Sequence, residues 1–358
     1  MQIQQRDLGF IEFVILMALL TSLAAMSIDA MLPALSVIAH DLGAENNEQQ
    51  YVVSAFLLSF GIAQMIFGPL SDSFGPKPVI YLGIGIYLVG SIICIFAGDF
   101  YDIVLGRAIQ GFGAGGPRVT IIALIRDKYK GNDMARVMSL IMMVFILAPI
   151  LAPTIGQGIL LVGEWQAIFI FLIVLALLSG IWLGVRQPET LHDEYRHPFS
   201  LARIISAVSE IFCIRASIGY TLMSGIMFSA FFGYLSSAQQ VFQVTYQLGE
   251  LFPLYFAILA SGLGLASYFN SKLVHKFGMR RLCKTALVSI SGLTIVFVCL
   301  VYAMSGIPPF YLFMFFMVPT FFCFGILVSN FVTLAMEPLA HIAGVGASVV
   351  GSISSLVG

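Results

Sequence analysis

The sequence contains one hydrophilic turn twice, first as Leu70-Ser71-Asp72-Ser73-Phe74-Gly75-Pro76-Lys77 and again as Leu273-Val274-His275-Lys276-Phe277-Gly278-Met279-Arg280. Leucine, phenylalanine, glycine and a cation occupy the same offsets in both copies, and the two glycines lie 203 residues apart, at 75 and 278. Each copy stands between two apolar runs that are long enough to be membrane-spanning helices. The repeat therefore predicts two equivalent bundles of helices joined near the middle of the chain.

The composition excludes most classes of soluble protein. Of the 358 residues, 59% are hydrophobic and 10% are charged, whereas soluble domains are about half apolar and about a quarter charged. A soluble enzyme, a disordered chain and a nucleic-acid binder are therefore excluded, and a polytopic membrane protein remains. The five cysteines show no metal-ligand spacing, so we expect no metal and no cofactor.

Ten apolar runs reach the length of roughly 20 residues that a helix needs to cross the hydrocarbon. They lie at 10–38, 51–70, 79–98, 102–125, 136–161, 166–185, 213–240, 251–270, 282–303 and 309–336. An eleventh run begins near residue 343 and reaches Gly358, which is too short to span. We therefore predict an all-α polytopic membrane protein with ten full spans and a partial eleventh.

Basic residues predict the orientation of these spans. When the loops are numbered from a cytoplasmic N-terminus, 15 of the 17 lysines and arginines fall on the cytoplasmic side. The other two, Arg107 and Arg118, lie inside a span. The positive-inside rule thus places the N-terminus in the cytoplasm, and we expect a multi-pass protein of a bacterial inner membrane.

The 203-residue period also predicts the domain boundaries. It maps the fourth and fifth spans onto the tenth and eleventh runs, whereas the counterpart of the sixth span would fall beyond residue 358. We expect an N-terminal six-helix half at 1–185, a cytoplasmic linker at 186–212 and an incomplete C-terminal half at 213–358. The period further predicts that the C-terminal end of the second half is truncated and that this form transports poorly.

The first turn has the residue types of a tight hairpin between two helices. Its glycine permits a positive φ, and the prolines around it stop the incoming helix. Here the chain resembles the major facilitator superfamily, whose signature G-x-x-x-D-x-x-G-x-[RK] lies between the second and third spans and controls the conformational change. Ser73 and Pro76 stand where the family usually carries a cation, which implies a weaker charge network. The matching residues are Gly68, Asp72, Gly75 and Lys77.

The fourth span carries two buried cations. Arg107, Gln110, Gly111 and Gly113 resemble the family's second motif, R-x-x-Q-G-x-G, and its glycines let a neighbouring helix approach closely. An intramembrane arginine is costly and is therefore expected to be functional. Arg118 comes 11 residues later, on the same helix face and about 16 Å away, so this face should meet a wet cavity or an anion. Alternatively, Arg118 reaches the lipid phosphates.

Asp29 is the obvious anion for Arg107. Both residues lie in the outer half of their spans, about 14 Å and about 8 Å from the outer ends. The pattern D-x-x-L-P around Asp29 resembles the drug-extruding branch of the superfamily. Two interpretations remain: Asp29 carries the transported proton with Arg107 as its partner, or it only neutralises Arg107.

The fifth span contains two prolines four residues apart, which should bend it. Its pattern is similar to the motif that marks antiporters of the superfamily, with alanine before both prolines and Gln157 in place of a glycine. The alanine-proline form resembles the bicyclomycin and chloramphenicol resistance (Bcr/CflA) subfamily, as do Arg126-Asp127 and Met336-Glu337-Pro338. The residues of this motif are Ala148, Pro149, Ala152, Pro153 and Gly156.

The seventh span presents a stripe of methionine and aromatic residues. Such stripes usually pack against other helices, but they can also line a pocket for apolar cations or neutral drugs. The candidates for a substrate cavity are Tyr220, Met223, Met227 and Phe231, together with Arg118.

These features predict a monomeric secondary transporter and no enzyme. It would export small amphipathic drugs in exchange for protons, with the two halves rocking around a midplane cavity and Asp29 carrying the proton. The chain has no G-x-x-x-x-G-K-[ST] loop for ATP, so its energy should come from an ion gradient. A uniporter or symporter of a nutrient on the same fold is the alternative. The expected partners are the lipid bilayer, protons and the drug.

Overall fold

The computed structural model describes residues 9–44, 48–129, 131–191 and 200–358, in which every regular element is a helix. Seven helices lie before the central linker: α1 (Phe10–Asp29), α2 (Leu35–Asp41), α3 (Gln50–Phe74), α4 (Pro76–Ile95), α5 (Phe100–Lys128), α6 (Gly131–Val162) and α7 (Gln166–Arg186). Six lie within or after the linker: α8 (Leu201–Cys213), α9 (Arg215–Gln239), α10 (Phe252–Phe277), α11 (Met279–Ala303), α12 (Phe310–Met336) and α13 (Ala343–Val357).

Nine of the described helices are long and apolar enough to cross a membrane. They correspond to nine of the ten predicted runs. The remaining run, 136–161, lies inside α6, which is 32 residues long. The chain is therefore an all-helical polytopic protein, as its sequence predicts.

The repeated turn has the same geometry in both copies. Gly75 is the single residue between α3 and α4, and Gly278 is the single residue between α10 and α11. Their backbone angles are φ 96° and ψ 153° at Gly75, and φ 75° and ψ 151° at Gly278. This region is essentially restricted to glycine, which explains why both copies keep that residue.

The first predicted span, 10–38, is interrupted in the structure. Helix α1 ends at Asp29, and a short 3₁₀ turn, Leu32–Ala34, precedes α2. Pro33 causes the break because it lacks an N–H group and its ring collides with the carbonyl four residues earlier, which is that of Asp29. Asp29 therefore occupies the last position of α1.

Helix α7 is attached to both ends of the first span by its two tryptophans. Trp165 Nε1 donates to Asp41 Oδ2 at 3.0 Å, and Trp182 Nε1 donates to Glu12 Oε1 at 3.1 Å. Arg186 adds two bonds of 2.7 Å to the same glutamate. These contacts hold α7 against the start of α1 and the end of α2.

Helix α8 lies within the predicted linker 186–212, for which the sequence predicted no membrane-spanning run. Its buried residues Ile204, Ala207 and Ile211 recur every three or four positions. Ala207 and Ile211 join a cluster that also contains Leu339 and Val350. This spacing produces one apolar face on a helix that is too short to span.

Helix α13 joins the two bundles. Ser352 Oγ donates to the carbonyl of Gly61 in α3 at 2.7 Å, whereas Ser354 Oγ donates to the carbonyl of Thr221 in α9 at 3.3 Å. Both serines are buried. Small residues with hydroxyl groups let α13 lie close to a helix of each half.

We expect Gly278→Ala to lower the free energy of unfolding by about 1–3 kcal/mol, because alanine is strained at this backbone conformation. The structure leaves open space at Gly278, so the loss would reflect the backbone alone. The matched control is Gly292→Ala in α11, where a Cβ also meets nothing within 4 Å. Denaturation of the two purified variants in detergent measures the free energy of unfolding of each. Equal stability of the two variants would contradict the shared turn geometry.

Candidate functional site

Asp29 is the buried acid around which the site is built. Its side chain is 4% exposed, and among the described residues no hydrogen bond or ion pair reaches its carboxyl group. It lines a small, partly open cavity of about 10 Å³. The other lining residues are Phe231, Tyr234, Phe256, Ala260, Leu263 and Phe321.

All the other lining residues come from the second half of the chain. Phe231 and Tyr234 lie on α9, whereas Phe256 and Phe321 lie on α10 and α12. Tyr234 is the centre of this aromatic cluster: its ring stacks on Phe256 at 5.9 Å and meets Phe321 edge-on at 4.8 Å. The acid of the first half therefore faces an aromatic wall of the second.

Arg107 occupies a different network, between α3, α4 and α5. It is fully buried, its Nε donates to the Val52 carbonyl at 3.1 Å and its Nη1 donates to Gln110 Oε1 at 2.5 Å. The guanidinium also lies 4.4 Å from the centre of the Phe56 ring. Gln110 continues the network to Ser91 Oγ at 2.8 Å. These contacts hold the arginine towards α3.

The predicted pairing of Asp29 with Arg107 is therefore wrong for this conformation. Among the described residues, no ion pair joins them, because Asp29 faces α9, α10 and α12 whereas Arg107 is bound to α3. Helix α1 meets the arginine network through another residue. Ser27 Oγ and Tyr87 Oη lie 2.6 Å apart, and Ser91 Oγ donates to the carbonyl of Tyr87 at 2.8 Å. Similar depth in the membrane did not fix the direction of either side chain.

Only one of the four aromatic and methionine candidates on the seventh span reaches the cavity, and that is Phe231. Tyr220, Met223 and Met227 pack instead against a separate cluster that includes Phe331. Arg118 is half-buried on α5 and does not line the cavity. Tyr234 could have been found from the sequence, because it follows Phe231 by three residues and so shares its helix face.

No sequence pattern comparable to the spacing of Phe231 and Tyr234 identifies Phe256 and Phe321 as cavity residues. They lie on two other helices in runs already rich in phenylalanine, and nothing in their local pattern separates a cavity residue from an ordinary packing residue. Only tertiary packing brings them to Asp29.

The antiporter-like motif of α6 packs directly against the end of α1. A Cβ atom on Gly156 would overlap the carbonyl oxygen of Ala30, the residue after Asp29. Ala148, Ala152 and Pro153 are buried along the same helix. The side chain of Pro149 lies outside the described residues. Small residues in this motif thus let α6 touch the backbone beside the buried acid.

The glycines of the fourth span serve the same purpose on α5. A Cβ on Gly111 would overlap the carbonyl oxygen of Phe56 in α3, and one on Gly113 would overlap the backbone nitrogen of Tyr87 in α4. Close packing by these glycines confirms the prediction. It also brings α3 near enough for its Val52 carbonyl to bind Arg107.

The signature turn is held by the start of the linker. Glu189 Oε2 accepts from the backbone N–H of Lys77 at 3.1 Å, at the N-terminus of α4, where a carboxylate is favourable. Lys77 Nζ donates to the Gly184 carbonyl at 3.1 Å. On the side of the second half, a Cβ at Gly68 would come within 2.7 Å of Ser348 in α13. The signature from Gly68 to Lys77 therefore touches the linker through Lys77 and the other half through Gly68.

The described residues contain no group of three or more histidine, cysteine or acidic side chains that could hold a metal ion. Their cysteines are free thiols.

We expect Gly156→Ala to destabilise the protein by about 1–3 kcal/mol, because the added methyl forces α6 away from α1. Gly158→Ala is the matched control, since a Cβ there meets nothing within 4 Å, and it should change stability by less than about 0.5 kcal/mol. Thermal unfolding in detergent compares them. Equal midpoints for the two variants would show that α6 does not contact α1 as described.

Several known proteins are similar to this chain. An uncharacterized MFS-type transporter of Bacillus subtilis (strain 168), YdgK, is 29% identical over 349 residues, which is 96% of this chain and 85% of that protein. A bicyclomycin resistance protein homolog of Haemophilus influenzae is 28% identical over 97% of this chain and 86% of its own length.

Comparison of structures agrees on the fold. The crystal structure of a D-xylose-proton symporter superimposes with a TM-score of 0.75 at 16% identity, covering 96% of this chain and 86% of the symporter. The family model of the Major Facilitator Superfamily matches residues 17–358. Together with the helical architecture and the signature turn, this match establishes that the chain belongs to the major facilitator superfamily, a family of membrane transporters and not of enzymes.

Proposed function

We propose that this protein exports small amphipathic drugs across the bacterial inner membrane in exchange for protons. The observation that carries the proposal is the burial of Asp29, without a partner among the described residues, at the junction of the two halves. The name of the Haemophilus relative, a bicyclomycin resistance protein homolog, agrees with a drug as substrate.

Coupling to protons follows from the cost of burying a charge. An ionised carboxylate without a partner is costly in an apolar cavity, whereas a neutral carboxylic acid is far less so. The closed arrangement seen here is therefore compatible with Asp29 when it carries a proton. Separation of the two halves would expose the carboxyl group to water, where the proton can leave.

Alternating access supplies the movement that this coupling needs. In the proposal, the halves at 1–185 and 213–358 rock against each other and the linker 186–212 connects them in the cytoplasm. The cavity at Asp29 is too small for a drug in this conformation, so a substrate can reach Asp29 only when the wall formed by α9, α10 and α12 moves away from α1. Loss of the proton and entry of the substrate would then share one conformational change.

The aromatic wall suggests the class of substrate. Phe231, Tyr234, Phe256 and Phe321 present ring faces and edges beside a single acid. Such surfaces bind apolar molecules and, through cation–π contacts, cationic ones. A lipophilic cation or a neutral aromatic antibiotic fits this chemistry better than a sugar, which needs several hydrogen-bonding groups.

The proposal includes the arrangement in the membrane. Ten crossings followed by α13, an N-terminus in the cytoplasm and a working monomer are the expected state. The nine candidate spans, the length of α6 and the bias of basic residues support this arrangement.

We expect Asp29→Asn to abolish energy-dependent drug export while the protein still inserts in the membrane. Ethidium efflux from cells that express each variant, with and without an uncoupler, measures this. The control is Glu164→Gln, which removes an exposed acid and should export like the wild type.

Three outcomes would count against the proposal. Export by Asp29→Asn at the wild-type rate would show that another group carries the proton. Wild-type export that persists with the uncoupler would exclude a proton gradient as the energy source. Net ethidium uptake driven by the gradient would favour a symporter instead.

A further inference from the structure

The hydroxyl group of Tyr234 is a second unsatisfied polar group at the site. It is buried from solvent, and no residue that the structure describes forms a hydrogen bond with it. Its ring is held on two sides by Phe256 and Phe321. A buried hydroxyl left without a partner costs about 1–3 kcal/mol, so its position next to Asp29 calls for an explanation.

Asp29 and Tyr234 line the same cavity. The two side chains face the same small space, yet no direct hydrogen bond joins the carboxyl group and the hydroxyl group. The cavity between them has a volume of about 10 Å³. A single water molecule needs roughly 10–15 Å³ and two to four polar partners.

We propose that Tyr234 positions the Asp29 carboxyl group across the interface of the two halves through one water molecule that both groups bind. The remaining walls are apolar or aromatic, which limits the site to one water and directs its hydrogen bonds to these two partners. The bridge satisfies two groups that otherwise lie unpaired in the interior.

The bridge links proton binding to the position of the halves. Asp29 belongs to α1 in the first half, whereas Tyr234 belongs to α9 in the second. The water-mediated contact can exist only while α9 lies against α1, so it stabilises this closed arrangement and breaks when the halves separate. Its importance for transport rests on the proposed function, but the bridge itself does not.

Infrared difference spectroscopy of the purified protein in lipid tests the bridge. Acid titration of the wild type produces the carbonyl stretch of protonated Asp29. This band is assigned by its absence from the same titration of Asp29→Asn. Tyr234→Phe keeps the ring and removes the hydroxyl, so we expect this band to move to higher frequency as its hydrogen bonding weakens. Tyr255→Phe is the control, because Tyr255 packs on Phe310, outside the cavity, and should leave the band in place.

Ethidium export then measures the consequence. In Tyr234→Phe the pH profile of export should shift, which a purely structural role of the tyrosine would not produce. An Asp29 band that does not move in Tyr234→Phe, or that moves equally in Tyr255→Phe, would overturn the bridge.

The two proposals can fail separately. Normal wild-type export with an unmoved Asp29 band rejects the bridge and keeps the exporter. A shifted band in a protein whose wild type exports no substrate keeps the bridge and rejects the exporter.

Discussion

The carboxyl group of Asp29 lies buried at the boundary of two helical bundles, and none of the residues that the structure describes forms a hydrogen bond or an ion pair with it. Pro33 ends α1 at this residue, and α6 packs on the backbone immediately after it. The second half closes the site with the aromatic rings of α9, α10 and α12. The neutral carboxylic acid favours the arrangement in which the halves bury it. The charged carboxylate favours an arrangement in which the halves separate and water reaches it.

Close contacts between backbones hold the first half rigid around this acid. Gly156 touches Ala30, Gly111 touches Phe56 and Gly113 touches Tyr87, in each case at a distance that excludes a Cβ atom. Arg107 stabilises the same region through the Val52 carbonyl and the Phe56 ring. A rigid first half matters because the proposed movement then takes place between the bundles and not within them.

The sequence predicted much of the fold because its signals are local. A single glycine between two apolar runs, as at Gly75 and Gly278, predicts a turn from backbone sterics alone. Asp29 stood out because an acid inside an apolar run is rare. The partner of Asp29 was predicted wrongly because depth along a helix says nothing about the direction of a side chain. Tyr234 meets Phe256 and Phe321 only after three helices have packed.

The central claim is that Asp29 couples proton movement to substrate movement, and reconstituted vesicles test it most directly. In inverted proteoliposomes, the wild type should accumulate ethidium when the lumen is made acidic, and it should also exchange internal for external ethidium without a pH gradient. Asp29→Asn should keep the exchange, because the halves still rock, but should lose the accumulation driven by protons. Accumulation by Asp29→Asn at the wild-type level would contradict the central claim.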